Sequence, residues 1–287
     1  MWIHLAVILF GFTAILGDLI QLSAVVLVWW RVFITSASLL FLFTKQDFIH
    51  VSRSGNLLKI WGIGIIVSLH WLCFYGAIKA SNASVALVCM SLTSLFTAFV
   101  EPAVHEVRIS KKDVVFSILM IPCFLLVANH VPDHYSVGLL LGVTAALLAA
   151  VFSVLNKKYI HQQNVYAFTF IELFSATIFL GAFLMLNTEI NMFEAGNYLP
   201  DGLYQWLLLF TLALLCTTLA YVLSLKALKH LSAFTSNMVI NLEPVYGILL
   251  AILILGDKEH MNLSFYIGAL LITVIVFLYP ILFRKKT

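Results

Sequence analysis

Apolar runs of about twenty residues recur along the whole chain, each ended by a short polar or Gly/Pro-bearing junction. A helix of that length crosses the hydrocarbon layer of a bilayer. Within lipid every backbone N–H and C=O must be satisfied internally, so only helices or closed barrels can cross. The runs are continuous rather than alternating, which excludes a barrel. Ten of them qualify: Ile3–Gly17, Leu22–Phe43, Leu57–Ile78, Ser84–Val104, Val114–Asn129, Val137–Asn156, Val165–Leu186, Leu203–Leu225, Ser232–Leu255 and Leu263–Phe283. The predicted fold class is therefore an all-α integral membrane protein with ten transmembrane helices. Composition agrees: 10% of the residues are charged, against about 25% in a soluble domain, too few to cover the chain with a water-compatible surface.

The loops predict an orientation. With both termini inside, the inner loops and tail hold Lys45, Arg53, Lys59, Arg108, Lys111, Lys112, Lys157, Lys158, Lys226, Lys229, Arg284, Lys285 and Lys286. The outer loops hold only Lys79 and Lys258. This asymmetry is the positive-inside pattern, and one missed helix would scramble it. The opening M-W-I-H-L-A-V-I-L-F lacks a basic leader and a cleavage site, so it reads as a retained first helix. The location expected is a multi-pass membrane one, the cell (inner) membrane for a bacterial source.

The ninth run carries Asn241, Glu243 and Pro244 near its middle. An acid at that depth costs several kcal/mol unless it faces protein or water. Pro244 has no N–H and clashes with the carbonyl of Ile240, so the helix should kink there. An acid beside a helix break at mid-membrane is what a substrate or ion site inside a bilayer requires. The bland alternative is a packing kink, with Glu243 bonded to a neighbouring helix.

The halves of the chain resemble each other. Sliding it by 150 places Ala77, Lys79, Ala83 and Leu92 on Ala227, Lys229, Ala233 and Leu242. A slide of 141 sets Arg31 opposite Glu172. The loop Asn187–Gly202 absorbs the difference. Five helices per half is odd, so two copies must insert with opposite orientation. Their loops differ accordingly: Lys45, Arg53 and Lys59 are answered by Glu189, Glu194 and Asp201, and Asp18 by Lys157 and Lys158. Residues 1–133 and 134–287 are the expected repeats, a transporter architecture with its site between them.

The stretches Tyr75–Phe99 and Ala227–Asp257 resemble the signature of EamA-like carriers in the drug/metabolite transporter superfamily. Leu242, Pro244, Val245 and Gly256 match its pattern, Asp257 replaces the usual Glu, and Glu106 matches the terminal acid of the first half. Ser94 stands where the family commonly has proline, which removes the basis for a matching kink in the fourth helix. The resemblance implies ten helices, a central cavity lined by helices 1–4 and 6–9, peripheral fifth and tenth helices, and movement of small metabolites, often export of amino-acid-like compounds or drugs.

Arg31 is the only basic residue well inside a crossing. Its planar fork suits a carboxylate or phosphate, or else it pairs internally with Glu172 or Glu243. Arg31 and Glu172 should differ in depth by roughly 7–8 Å, a spacing that suits a zwitterion better than a direct salt bridge. Glu172 and Glu243 are also candidates for carrying a coupled proton. His70, Trp71 and Tyr75 read as an aromatic wall with a polar foot, or as packing. Trp30, Asn156, Tyr221, Asn237, Asn241 and Tyr246 are further wall candidates. Glu101 should reach the cytoplasmic interface. Trp2, Tyr204 and Tyr266 read as interface anchors. Gly138, Gly142, Ala146 and Ala150 form a small-residue stripe for close helix approach.

Cys73, Cys89, Cys123 and Cys216 are scattered singly through apolar runs, so neither disulfide nor metal is expected, and no cofactor. No Walker motif occurs, so energy would come from gradients or exchange. No G-x-S-x-G or H-E-x-x-H motif supports an intramembrane enzyme, and repeated pore rings of a passive channel are absent. The function predicted is a secondary active transporter of a small polar metabolite, working by alternating access as exporter or exchanger. Its partners are a small-molecule substrate, a coupled proton and the lipid bilayer. It acts as monomer or homodimer, without nucleic acid.

Overall fold

A computed structural model describes residues 2–129, 131–186, 198–256 and 261–283; Glu189, Glu194, Asp257, Lys258, Arg284, Lys285 and Lys286 lie outside the described residues. The described residues are all helical or loop, with no strand among them. The helices are α1 (Trp2–Leu19), α2 (Ala24–Leu39), α3 (Lys45–Ser52), α4 (Leu57–Ala80), α5 (Ala83–Met90), α6 (Thr93–His105), α7 (Lys111–Ala128), α8 (Ser136–Tyr159), α9 (Val165–Leu186), α10 (Gly202–Ala213), α11 (Ala220–Leu228), α12 (Ala233–Ile240), α13 (Glu243–Leu255) and α14 (Leu263–Phe283).

Seven spans among the described residues are long and apolar enough to cross a membrane: Trp2–Leu19, Leu57–Ala80, Ala83–His105, Asp133–Tyr159, Val165–Leu186, Gly202–Leu228 and Ala233–Leu255. Ala24–Leu39 and Leu263–Tyr279 are shorter apolar helices. α7 opens on Lys111, Lys112 and Asp113, which makes its first turn polar. Large side chains such as Phe41, Leu58 and Leu253 are almost fully exposed, an apolar surface that only lipid would cover comfortably. The chain is a multi-pass integral membrane protein.

Three of the expected helices are interrupted. The ninth breaks at Asn241–Leu242 into α12 and α13, one turn before Pro244, where the proline clash predicts it. The fourth breaks at Ser91–Leu92 into α5 and α6 without a proline, contrary to the expectation from Ser94. The cause is hydrogen bonding. Ser91 Oγ donates to Val88 O (2.6 Å), and Asn241 Nδ2 takes Ser91 O (2.9 Å) and Ser94 Oγ (2.7 Å). The two breaks lie 150 residues apart and touch through Asn241. The eighth helix is divided by a π-helical turn, Leu214–Leu219, in which Thr217 Oγ1 donates to Leu212 O (2.7 Å) and Thr218 Oγ1 to Ala213 O (3.0 Å).

Helix α8 packs along α4, α2 and α4 along α9, α1 along α13, and α6 against α8 and α12. Missing side chains permit the closest approaches. A Cβ on Gly142 would lie 2.7 Å from Cys89 Sγ, and one on Gly64 would run into the carbonyl of Glu172. Two lysines at corresponding junctions make corresponding bonds: Lys79 Nζ donates to Ile20 O (2.9 Å), just after α1, and Lys229 Nζ to Gln163 O (2.6 Å), just after α8. Helices α7 and α14 pack chiefly on each other. Cys73 is half-buried, whereas Cys89, Cys123 and Cys216 are buried; all four are free thiols.

Candidate functional site

The helix breaks surround a central cavity of about 80 Å³. That is small beside the roughly 300–1,000 Å³ of pockets that enclose drug-sized ligands. Its walls come from α1, α2, α4, α5, α6, α8, α11, α12 and α13, with nothing from α7, α9 or α14. Seven of the twelve residues expected at the site or its walls line it: Arg31, His70, Trp71, Asn156, Tyr221, Asn237 and Glu243.

Arg31 is buried on α2. Its Nε donates to Thr217 Oγ1 (2.6 Å) and one terminal nitrogen to Tyr75 Oη (2.7 Å); the other reaches Cys216 O (3.5 Å). The π-helical turn is what brings Thr217 into reach. The guanidinium carbon lies 4.1 Å from the Trp71 ring centroid, a cation–π geometry that strengthens away from water. Neutral groups thus hold Arg31. They fix the position of its charge without cancelling it.

Glu243 is the first residue of α13, and the dipole of a helix favours negative charge at that end. It is 6% exposed, lines the cavity, and its carboxylate makes no hydrogen bond among the described residues. Arg31 of α2 and Glu243 of α13 line the same cavity. The void therefore carries a fixed cation on one wall and an unbonded carboxyl group on another.

Glu172 is also fully buried but stands behind the wall. Its Oε1 accepts from Asn156 Nδ2 (3.0 Å) and Tyr221 Oη (2.7 Å), and Oε2 is buried without a hydrogen-bond partner among the described residues. Arg31 and Glu172 do not bond to each other. Tyr221, edge-on to Trp71 at 6.0 Å, reaches Glu172 from the cavity side.

His70 does both things expected of it: it lines the cavity, and its Nδ1 donates to Ala145 O (2.8 Å). Its ring packs against Phe152 and Phe74. Asn237 Nδ2 donates to Thr97 Oγ1 and Ser153 Oγ, both at 2.7 Å.

Five expected residues fall outside the lining. Tyr75 is buried against Arg31. Asn241 joins the two helix breaks. Glu172 is as described. Trp30 faces the other way, with Nε1 donating to Tyr198 O (2.8 Å) and its ring edge-on to Trp206. Tyr246 sits half-buried at the crossing of α13 with Gly11 of α1. In exchange Thr13, Thr93, Ser153, Ser224 and Ser236 line the void, with Phe10, Phe74 and Phe152. Isolated hydroxyls and phenylalanines in apolar runs carry no signal that separates lining from packing.

The family model described as "EamA-like transporter family" matches residues 1–129 and again 136–279. An "Uncharacterized transporter" of Clostridium kluyveri is 26% identical over 221 residues, 75% of this chain and 68% of that one. An "Uncharacterized transporter" of Haemophilus influenzae is 30% identical over 130 residues, 45% of this chain and 73% of that one. A crystal structure at 15% identity covers 100% of this chain and 98% of its own, with a TM-score of 0.70, a likeness of fold alone. With the family model matching nearly the whole length, the chain belongs to the EamA-like transporter family.

Proposed function

We propose that this protein is a secondary active transporter that moves a small polar metabolite, amino-acid-like or related, by alternating access, as an exporter or exchanger. The observation that carries this reading is one enclosed void at the helix breaks with Arg31 on one wall and the unbonded Glu243 carboxyl group on another. Arg31 takes a substrate carboxylate with its remaining N–H groups, and Glu243 takes an amine. The aromatic faces of Trp71, Phe152 and Phe10 cover the apolar remainder. Glu172, enclosed behind Asn156 and Tyr221, is the candidate for a coupled proton. Uptake of a metabolite requires the small void to widen, which alternating access supplies.

The architecture in this reading is ten crossings in two inverted repeats, residues 1–133 and 134–287, with both termini cytoplasmic and the protein in the cell (inner) membrane of a bacterium. The 150-residue spacing of the helix breaks and the corresponding bonds of Lys79 and Lys229 support the duplication. In this reading Arg31, Glu243 and Glu172 belong to the region between the two repeats, where the site of such a carrier lies.

Counterflow in proteoliposomes tests the mechanism after a thermal-shift screen over amino acids, nucleobases, sugars and sulfonium metabolites has found a ligand. Trans substrate should accelerate exchange, as no channel would allow. Arg31→Lys should weaken transport of a carboxylate substrate by ten-fold or more, because an ammonium cannot reproduce a bidentate fork. Wild-type rates for Arg31→Lys across every acid that binds would remove Arg31 from the site. If Glu243→Gln left amine transport intact, the assignment of the amine to Glu243 would fail.

A further inference from the structure

Below the central cavity a second void, of about 470 Å³, is lined by Thr97, Glu101, His105, Arg108, Lys157 and His230, among others. Glu101, Arg108, Asp113 and Lys157 bring charge to it, with Phe234 as its one Phe, Tyr or Trp, whereas Arg31 and Glu243 of the smaller void above sit among Phe10, Trp71, Phe74, Phe152 and Tyr221. Two layers separate the voids. The inner layer is Asn237, which lines the upper cavity and donates to Thr97 of the lower one and to Ser153. The outer layer is Glu101. From α6 its Oε1 accepts from Ala233 N (2.8 Å) and its Oε2 from Phe234 N (2.7 Å), the first two amides of α12, 132 and 133 residues away. Both oxygens of one carboxylate thus occupy a helix N-terminus, where free N–H groups and the helix dipole favour a negative charge.

The surrounding lysines tie the same elements together. Lys157 of α8 donates to Leu228 O (2.9 Å) and Lys229 O (3.2 Å) at the end of α11, and lines the lower void with Glu101. Lys158 donates to Val104 O (2.9 Å) in the last turn of α6. Every one of these bonds runs between main chain and a long charged side chain at the rim. Breaking them leaves groups that water in the lower void can satisfy, so this face can open at little cost. The opposite holds for the Asn241 junction above, where Asn241, Ser91 and Ser94 are all buried.

We propose that Glu101 is the latch of a gate: its carboxylate, clamped on the first turn of α12, holds shut the route from the charged vestibule to the central cavity. Release lets α12 swing from α6 at the Asn241–Leu242 break, carrying Asn237 and Ser236 with it and joining the two voids. In this conformation the vestibule side is closed. The purpose of the gate rests on the alternating-access reading, but its existence is testable without any substrate.

Ser236→Cys supplies a reporter on the cavity wall, with a membrane-impermeant maleimide applied from either face of sealed vesicles and the adduct at position 236 read by mass spectrometry. Adding Glu101→Gln exchanges two charge-assisted hydrogen bonds for at most one neutral one, so labelling from the vestibule face should accelerate roughly ten-fold or more, with the other face unchanged. Glu101→Asp, too short to span both amides, should give a smaller rise and serves if the glutamine variant does not fold. An unchanged rate from the vestibule face, or an equal rise from both faces, overturns the latch.

Discussion

At the scale of single residues, burial cost decides who partners whom. Arg31 is buried, so a donor turned into the protein needs an acceptor there, and Thr217 supplies one for Nε where the chain bulges at Leu214–Leu219. Thr217→Val keeps the shape and removes the acceptor. It should cost about 1–3 kcal/mol, the penalty of an unsatisfied buried donor, seen as a lower melting temperature in detergent, while Thr217→Ser should melt like the parent. Outside the membrane the same logic runs in water. At the start of α3, Thr44 N and Oγ1 donate to Asp47 Oδ2 (2.9 and 2.7 Å), and Asp47 N donates back to Thr44 Oγ1. The backbone bond from Thr44, then its hydroxyl, hold the Asp47 carboxyl below the ordinary carboxylate pKa. A depressed folded-state pKa means that the capping contribution is complete above the unfolded value and fades as pH falls through the folded one. NMR titration of the Asp47 carboxyl should show that depressed midpoint, and Thr44→Val, which removes the hydroxyl but keeps the backbone N–H, should raise it only part of the way to the ordinary range. The pairing was legible as T-K-Q-D, a capping-box spacing, although the loop reading of Lys45 passed over it.

At the scale of elements, the helices are fixed by where a Cβ is missing and where the backbone breaks. Gly64 of α4 lies against the carbonyl of Glu172 on α9. Gly64→Val would drive these helices apart at the point where Glu172 meets Asn156 and Tyr221. Overpacking of this kind costs about 1–3 kcal/mol or more, and the variant should show a reduced yield of monodisperse protein in size-exclusion chromatography. Gly62, two residues away with open space around it, should accept alanine without that loss. The stripe Gly138–Ala150 was readable from its spacing, and the structure seats it along α4 and α5. The break at Ser91–Leu92 was not readable. Proline marks its counterpart covalently, whereas here Asn241, 150 residues away, supplies the bond that the freed Ser91 carbonyl needs.

At the scale of the whole molecule, two corresponding sets of breaks and lysine bonds make one central void and leave α7 and α14 outside it. Ten crossings with both termini inside make a concrete forecast for a bacterial host. A fluorescent protein fused after Thr287 should glow, and alkaline phosphatase fused there should be inactive. After Ser81, in the junction between α4 and α5, the phosphatase should instead be active. An active phosphatase at the C-terminus would break the five-plus-five arrangement, since an odd number of crossings cannot return the chain to its starting side.

The sequence by itself determined the solvent of this protein, the position of the proline break and the three charged side chains that could not lie in lipid unaided. Those follow from hydropathy, from a missing N–H and from the cost of a bare charge, all local quantities that a run of twenty residues contains. Tertiary structure alone decided that Arg31 rests on Thr217, Tyr75 and Trp71, that Glu172 turns behind Asn156 while Glu243 stays open to the void, and that Glu101 clamps α12. A buried polar group must find a partner somewhere, but which one depends on the faces that distant helices present at their crossings. That geometry is set by the small residues, bulges and breaks of all of them together.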